Sequence, residues 1–165
     1  MLQVIIAYVH LLLSIIVCAY CLWRKDAYDK YYILYFVLLN LSWLLFNDEC
    51  LISFIFKKIQ NPGYSLGDTN DIKDVVLILG KPISQLLLDY VIPFMYIINI
   101  LCIVYFGKVN EVVKNLLVAG IISYSLYTYA LKAHFNKSST SVIRIAHGLI
   151  FSALLFSSIT LFQKN

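Results

Sequence analysis

Five long apolar runs separated by short polar connectors organise this chain: residues 2–23, 31–56, 83–106, 112–131 and 142–162. A helix rises about 1.5 Å per residue. About 20 apolar residues therefore cross a hydrocarbon core of about 30 Å. The pattern predicts an all-α fold, a polytopic transmembrane helical bundle forming a single integral membrane domain over residues 1–165. Five helices are the preferred count, with four as the alternative. The first run has no charged side chain and closes on Trp23-Arg24-Lys25, as an interfacial anchor does. It lacks a basic leader and a clear small-residue cleavage site, so it reads as a retained helix rather than a signal peptide.

The longest connector, "KKIQNPGYSLGDTNDIKD", carries Pro62, Gly63 and Gly67 in polar company, which are turn signals. The stretch after it, "VVLILGKP", is too short to span and is interrupted by Gly80 and Pro82. It reads as interfacial, or as a buried lead-in to the third helix. "HFNKSSTS" is the other polar connector. With five spans and an outer N-terminus, Arg24, Lys25, Lys30, Lys108, Lys114 and Lys164 fall inside. Lys57, Lys58, Lys73, Lys81, Lys132, Lys137 and Arg144 fall outside. Six against seven leaves the positive-inside rule without a preference.

Composition agrees with the pattern. Hydrophobic residues make up 61% and charged residues 13%, where a soluble domain has about 45–50% and about 25%. Too few charges are present to cover a soluble surface. The formal charge of +4 is spread over connectors and termini rather than gathered into the patch that nucleic acid needs. The expected partners are the lipid bilayer and other membrane proteins or further copies of the chain, with no nucleic acid. The 13 tyrosines against 2 tryptophans suit membrane interfaces, where one end of the ring is wet.

One stretch breaks the apolar pattern: "WLLFNDECLISFIFKK". Residues 31–46 alone give roughly 24 Å of helix, short of the core. Continuing to residue 56 gives roughly 39 Å, which spans with tilt. Length therefore favours a helix running through Asn47, Asp48, Glu49 and Cys50. The alternative ends it at Phe46 and lays "LISFIFKK" along the interface. Asp48 and Glu49 point about 100° apart on a helix. Ser42, Glu49 and Ser53 share one face, and Asn40 and Asn47 another. A polar stripe in an apolar helix faces other helices or a cavity. Glu49 is thus expected to be buried against a polar group of another helix, His10 or Arg144 being the natural partners.

The candidate intramembrane polar site comprises Glu49, Asp48, Asn47, His10, Asp89 and Arg144. His10 lies in mid-span, suited to a helix–helix hydrogen bond or to a proton or ligand contact. Asp89 stands between Gln85 and Pro93 at four-residue spacing, and Pro93 can kink its helix. Arg144 is close enough to its helix end to snorkel. Cys18 and Cys21 form a C-x-x-C, the spacing of a redox pair, although both lie inside the first run and Cys50 and Cys102 form no evident second pair. The four cysteines show no convergent zinc set, so neither metal nor cofactor is expected. "GYSLGD" lacks the uninterrupted carbonyl strand of a potassium filter. "NKS" at 136–138 fits the N-glycosylation pattern. Catalytic residues are not identified.

The stretch over residues 43–68 resembles a motif of uncharacterised small multi-pass membrane proteins of large DNA viruses. There an aromatic-rich helix precedes Glu-Cys-x-Ile-Ser, a Lys pair and an Asn-Pro-x-Tyr-x-Leu-Gly loop. The matching residues are Glu49, Cys50, Ile52, Ser53, Lys57, Lys58, Asn61, Pro62, Tyr64, Leu66 and Gly67. The resemblance implies a host endomembrane or virion membrane and supplies no mechanism. Three functional classes follow from the residues. A structural or assembly component of a membrane comes first, since nothing catalytic stands out. A small transporter or channel using Glu49, Asp48 and His10 is second. A membrane enzyme, lipid-modifying or a thiol oxidoreductase, is third.

Overall fold

The computed structural model describes residues 2–68, 73–132 and 137–163, and every regular element among them is helical. In chain order these are α1 (Leu2–Cys18), α2 (Tyr20–Trp23), α3 (Asp26–Leu45), α4 (Leu51–Gln60), α5 (Lys73–Leu79), α6 (Lys81–Leu86), a π-helical turn (Leu87–Val91), α7 (Ile92–Phe106), α8 (Glu111–Lys132) and α9 (Lys137–Gln163). Among the described residues two helical stretches have the length and apolarity to cross a membrane, Lys81–Phe106 and Thr140–Thr160. Only 22% of either window is buried. α1, at 17 residues, is apolar but shorter.

The expected helix over 31–56 is two helices. α3 stops at Leu45 because Asn47 and Asp48 adopt left-handed backbone, with φ of 54° and 69°. Asn and Asp tolerate this conformation better than other side chains. The Asp48 N–H then reaches back five residues to the Trp43 carbonyl at 2.7 Å, a bond typical of helix C-termini. The length argument fails because it weighs only hydrophobic span and ignores this local preference. The first run is also interrupted, at Ala19, between α1 and α2. The third, fourth and fifth runs become helices close to the expected bounds, α9 starting five residues early.

The chain divides into two compact units. The first comprises Met1–Leu22 and Ser42–Tyr96. In it α1, α4 and α5 pack against one another in all three pairings. Ala7, Phe56 and Val75 are among its buried apolar residues. Its interior is unusually polar: Glu49, Ser53, Lys57, Asp74 and Ser84 are all buried. Of "VVLILGKP" Val75 alone is buried, while Leu77 and residues 80–82 are exposed, so the stretch is a helical lead-in that packs by one edge and is neither fully buried nor a surface strip. α5 ends at Gly80, whose φ of +75° suits glycine, and α6 begins at once with Pro82 in its first turn. Proline is favoured there because the first helical N–H groups lack partners anyway. The π turn immediately precedes Pro93, and the Ile92 N–H bonds the Leu87 carbonyl. Widening the helix here relieves the clash of a proline ring with the carbonyl four residues back.

The second unit comprises Trp23–Leu41 and Ile97–Asn165. α8 and α9 form an extensively packed pair. α8 is capped by Asn110, whose Oδ1 accepts the Val113 N–H at 2.9 Å, and Glu111 complements the helix dipole in the first turn. The Phe36 ring packs edge-on against Tyr124 and Phe151, at 5.9 and 5.4 Å between centroids. Asn99 donates to the Tyr32 hydroxyl at 2.8 Å. His147 stacks on Tyr127 at 4.5 Å, with Nδ1 3.0 Å from Ser123 Oγ. At the start of α3, Arg24 donates to Asp26 at 2.7 Å and to buried Asp29 at 2.6 Å.

Candidate functional site

The polar interior of the first unit gathers on three helices. His10 comes from α1, Ser53 from α4 and Asp74 from α5, with Cys50 at the N-cap of α4. His10 Nδ1 pairs directly with Asp74 Oδ2. Ser53 Oγ donates to the other carboxylate oxygen at 2.9 Å. Both oxygens of a side chain with no exposed surface are thereby satisfied, as a buried carboxylate requires. The second imidazole nitrogen, Nε2, lies 3.6 Å from Cys50 Sγ. The order is thiol, imidazole, carboxylate, with one His nitrogen toward each neighbour.

This order has a chemical consequence. Nδ1–H donation to Asp74 fixes the tautomer that leaves the Nε2 lone pair facing the thiol. His10 can then take the Cys50 proton while Asp74 steadies the resulting imidazolium. Burial alone would push the Cys50 thiol up, but His10 beside it outweighs this and leaves the thiol below its ordinary value. The N–H groups of Ser53 and Ile52 at the start of α4 act in the same direction, without closing a full cap hydrogen bond. A helix N-terminus favours an anion by its aligned peptide dipoles. The Asp74 carboxyl, which burial would raise, is held low by His10 and Ser53.

Next to Cys50, Glu49 is buried in a network of its own. Lys57 Nζ donates to Oε1 at 2.8 Å and Tyr64 Oη to the same oxygen at 3.0 Å. The Gly67 N–H donates to Oε2 at 3.0 Å. Lys57 also sits over the Tyr64 ring, 5.3 Å from its centroid, and Lys58 donates to the Tyr64 carbonyl at 2.8 Å. Gly67 has φ of +84°, and a Cβ there would stand 2.9 Å from the Asn47 Cβ. The loop after α4 is therefore folded back onto the residues that lead into Cys50.

Of the residues proposed from sequence, Glu49 is buried as expected. Its partners correct the expectation: Lys57, Tyr64 and Gly67 take the place given to His10 or Arg144. His10 instead joins Asp74 and Cys50. Asn47 and Asp48 form the left-handed turn before the cluster, Asn47 exposed and Asp48 half-buried. Asp89 lies half-buried in the π turn, and Arg144 half-buried on α9 in the second unit. Cys18 and Cys21 straddle the break at Ala19, and neither is in a disulfide. Sequence reasoning did not bring Cys50 to His10, and missed Asp74, Ser53, Lys57 and Tyr64 as partners. Asp74 was hidden in a polar connector. The legible signals were His10 in mid-run and a Cys three residues before a Ser at a helix start. No family model, curated protein or solved structure matches this chain, so the geometry alone supports a functional reading.

Proposed function

We propose that this is an integral membrane protein whose first unit carries a catalytic thiol, Cys50, acting in covalent group transfer. The observation that carries the reading is the 3.6 Å approach of Cys50 Sγ to His10 Nε2 while Nδ1 is committed to Asp74. A thiol is nucleophilic as its thiolate, and an adjacent base raises the thiolate fraction at neutral pH. His10 is the general base and acid, Asp74 the residue that positions it, and Ser53 the group that holds Asp74. On this reading the membrane-enzyme class is favoured over a structural or assembly role, and the reactive thiol is Cys50 rather than the Cys18–Cys21 pair.

The membrane part rests on the two apolar stretches, Lys81–Phe106 and Thr140–Thr160, in which only 22% of the apolar window is buried. A soluble core helix would bury them. On this reading α1, α3 and α8, which lie in or overlap the other three apolar runs, supply the remaining crossings of a multi-pass arrangement of five. The experiment is alkylation of the full-length protein by iodoacetamide in a Cys18→Ala, Cys21→Ala, Cys102→Ala background. Cys50 should react at least about ten-fold faster at pH 7 than a free thiol, and Asp74→Asn or His10→Ala should remove the enhancement. Equal rates in parent and variants would return the protein to the structural or assembly class.

A further inference from the structure

We infer that the group Cys50 carries is a long-chain fatty acyl group, taken as a thioester from a lipid ester or an acyl thioester. This rests on the thiol reading above. The side chains around the triad define the substrate. Leu51 and Ile55, one and five residues after Cys50 along α4, are 42% and 44% exposed. Val9 and Leu13, flanking His10 on α1, are likewise exposed, as is Leu77 on α5. Each of the three helices that build the triad thus carries exposed apolar side chains within about a turn, along the chain, of its own polar residue. The charged groups of the cluster are already occupied: Asp74 by His10 and Ser53, Glu49 by Lys57. Neither carboxylate is left to hold a cationic substrate, and Lys57 is not left to hold an anionic one. A neutral carbonyl on an apolar chain fits such surroundings.

The chemistry balances without an oxidant or reductant. His10 Nε2 takes the thiol proton, and Sγ attacks the acyl carbonyl carbon. The tetrahedral adduct collapses with cleavage of the donor's C–O or C–S bond, and the leaving alkoxide or thiolate takes the proton from His10. The acyl group is now a thioester on Cys50. Water, an alcohol or an amine then gives its proton to His10 and attacks that thioester. Cys50 leaves as thiolate and recovers the proton. The Ile52 and Ser53 N–H groups, which already act on the Cys50 sulfur, are the backbone donors assigned to the transient oxyanion.

The test uses the full chain in phosphatidylcholine vesicles with two probes in separate arms: a phosphatidylcholine bearing an alkyne-tagged palmitoyl chain, and alkyne-tagged palmitoyl-CoA. A third arm uses p-nitrophenyl acetate. The expected result is a hydroxylamine-labile label on Cys50 in one of the long-chain arms, which identifies the donor. It should vanish in Cys50→Ala and fall at least about ten-fold in Asp74→Asn, whose near-isosteric amide keeps the packing. The Asp74→Asn loss should be accompanied by an upward move of the pH midpoint of labelling, which misfolding alone would not produce. Acetylation of Cys50 that depends on Asp74, with no long-chain label from either donor, overturns the acyl-chain inference and leaves the thiol reading standing. Absence of both acylation and enhanced alkylation overturns both. Long-chain labelling unchanged by Asp74→Asn marks uncatalysed surface acylation and also overturns the inference.

Discussion

Lys57→Met should destabilise the first unit by about 3 kcal/mol, while the double variant Lys57→Met/Glu49→Gln recovers most of that loss. Both charged groups are buried, their side chains 2% and 1% exposed. Methionine keeps the length of the lysine stem, so packing changes little. What it leaves is a buried carboxylate without its cation. Removing one partner of such a pair costs about 3–5 kcal/mol. The low end applies because Tyr64 Oη and the Gly67 N–H still donate to Glu49, and a carboxylate with such donors is partly stabilised. Converting Glu49 to glutamine as well removes the stranded charge, leaving a deficit of about 1–2 kcal/mol for imperfect hydrogen bonding. The assay is reversible unfolding in detergent micelles, run as a double-mutant cycle, with an expected coupling of at least about 1.5 kcal/mol. A Lys57→Met variant within about 0.5 kcal/mol of the parent would refute the argument. It would mean that water reaches Glu49 and that the loop over residues 61–68 does not seal the turn before Cys50.

Alkylation of Cys50 should titrate with a midpoint below that of an ordinary thiol, about 8.5, because His10 stabilises the thiolate; the thiolate is the reactive form, so the rate rises with pH through that midpoint, and a His10→Ala profile at or below the parent's would sink the assignment. Asp29→Ala should cost about 2–3 kcal/mol, somewhat under the range for a fully buried pair, because Arg24 retains Asp26; unchanged thermal unfolding would show that the pair is superfluous. Protease access to tags at both ends, tested in sealed vesicles, should place the termini on opposite sides for five crossings, and both tags on one side would rule that count out.

The helical class and the placement of the long helices were readable from hydrophobic spacing alone. α8 and α9 fall close to their apolar runs because nothing within those runs competes with the helix, whereas the third run carries Pro93 and widens into a π turn ahead of α7. The failures cluster where a local backbone preference overrides hydrophobic length. Asn47 and Asp48 end α3 by going left-handed, a cue that sits in the sequence but carries less weight than a 26-residue apolar span. The site was half legible. His10 and Glu49 stood out because a polar side chain in an apolar run demands a partner. Their partners did not, because Asp74 and Lys57 lie in or beside a connector whose polarity is ordinary. Only folding brings residue 10 against residue 74, 64 positions away, and no local period encodes such a pairing. Glu49 illustrates the opposite error. Its partner was sought on a distant helix, while Lys57, eight residues on, lay close at hand once the chain turned between them.

Cys50 occupies a position whose local preference points elsewhere, and this supports function over packing. The N-cap of a helix favours Ser, Thr, Asp or Asn, whose side-chain oxygen accepts an otherwise unpaired N–H. Cys50 stands at the N-cap of α4 and makes no such side-chain hydrogen bond. The His10–Asp74–Ser53 set satisfies both carboxylate oxygens without it, so the thiol is not needed to complete the buried pair. A local rule broken without structural gain marks a functional site. Cys50→Ser should therefore stabilise the protein, by about 0.5–1 kcal/mol from the recovered cap, while abolishing fast alkylation and the hydroxylamine-labile acyl label. Serine keeps the hydrogen-bonding order toward His10, so the loss of reactivity reports the change of nucleophile rather than a collapse of the site. The measurements are the unfolding midpoint in detergent and the labelling rate, taken on the same preparation. A serine variant less stable than the parent would show that sulfur at position 50 is there to fill space, and the case for a catalytic thiol would lose its physical basis.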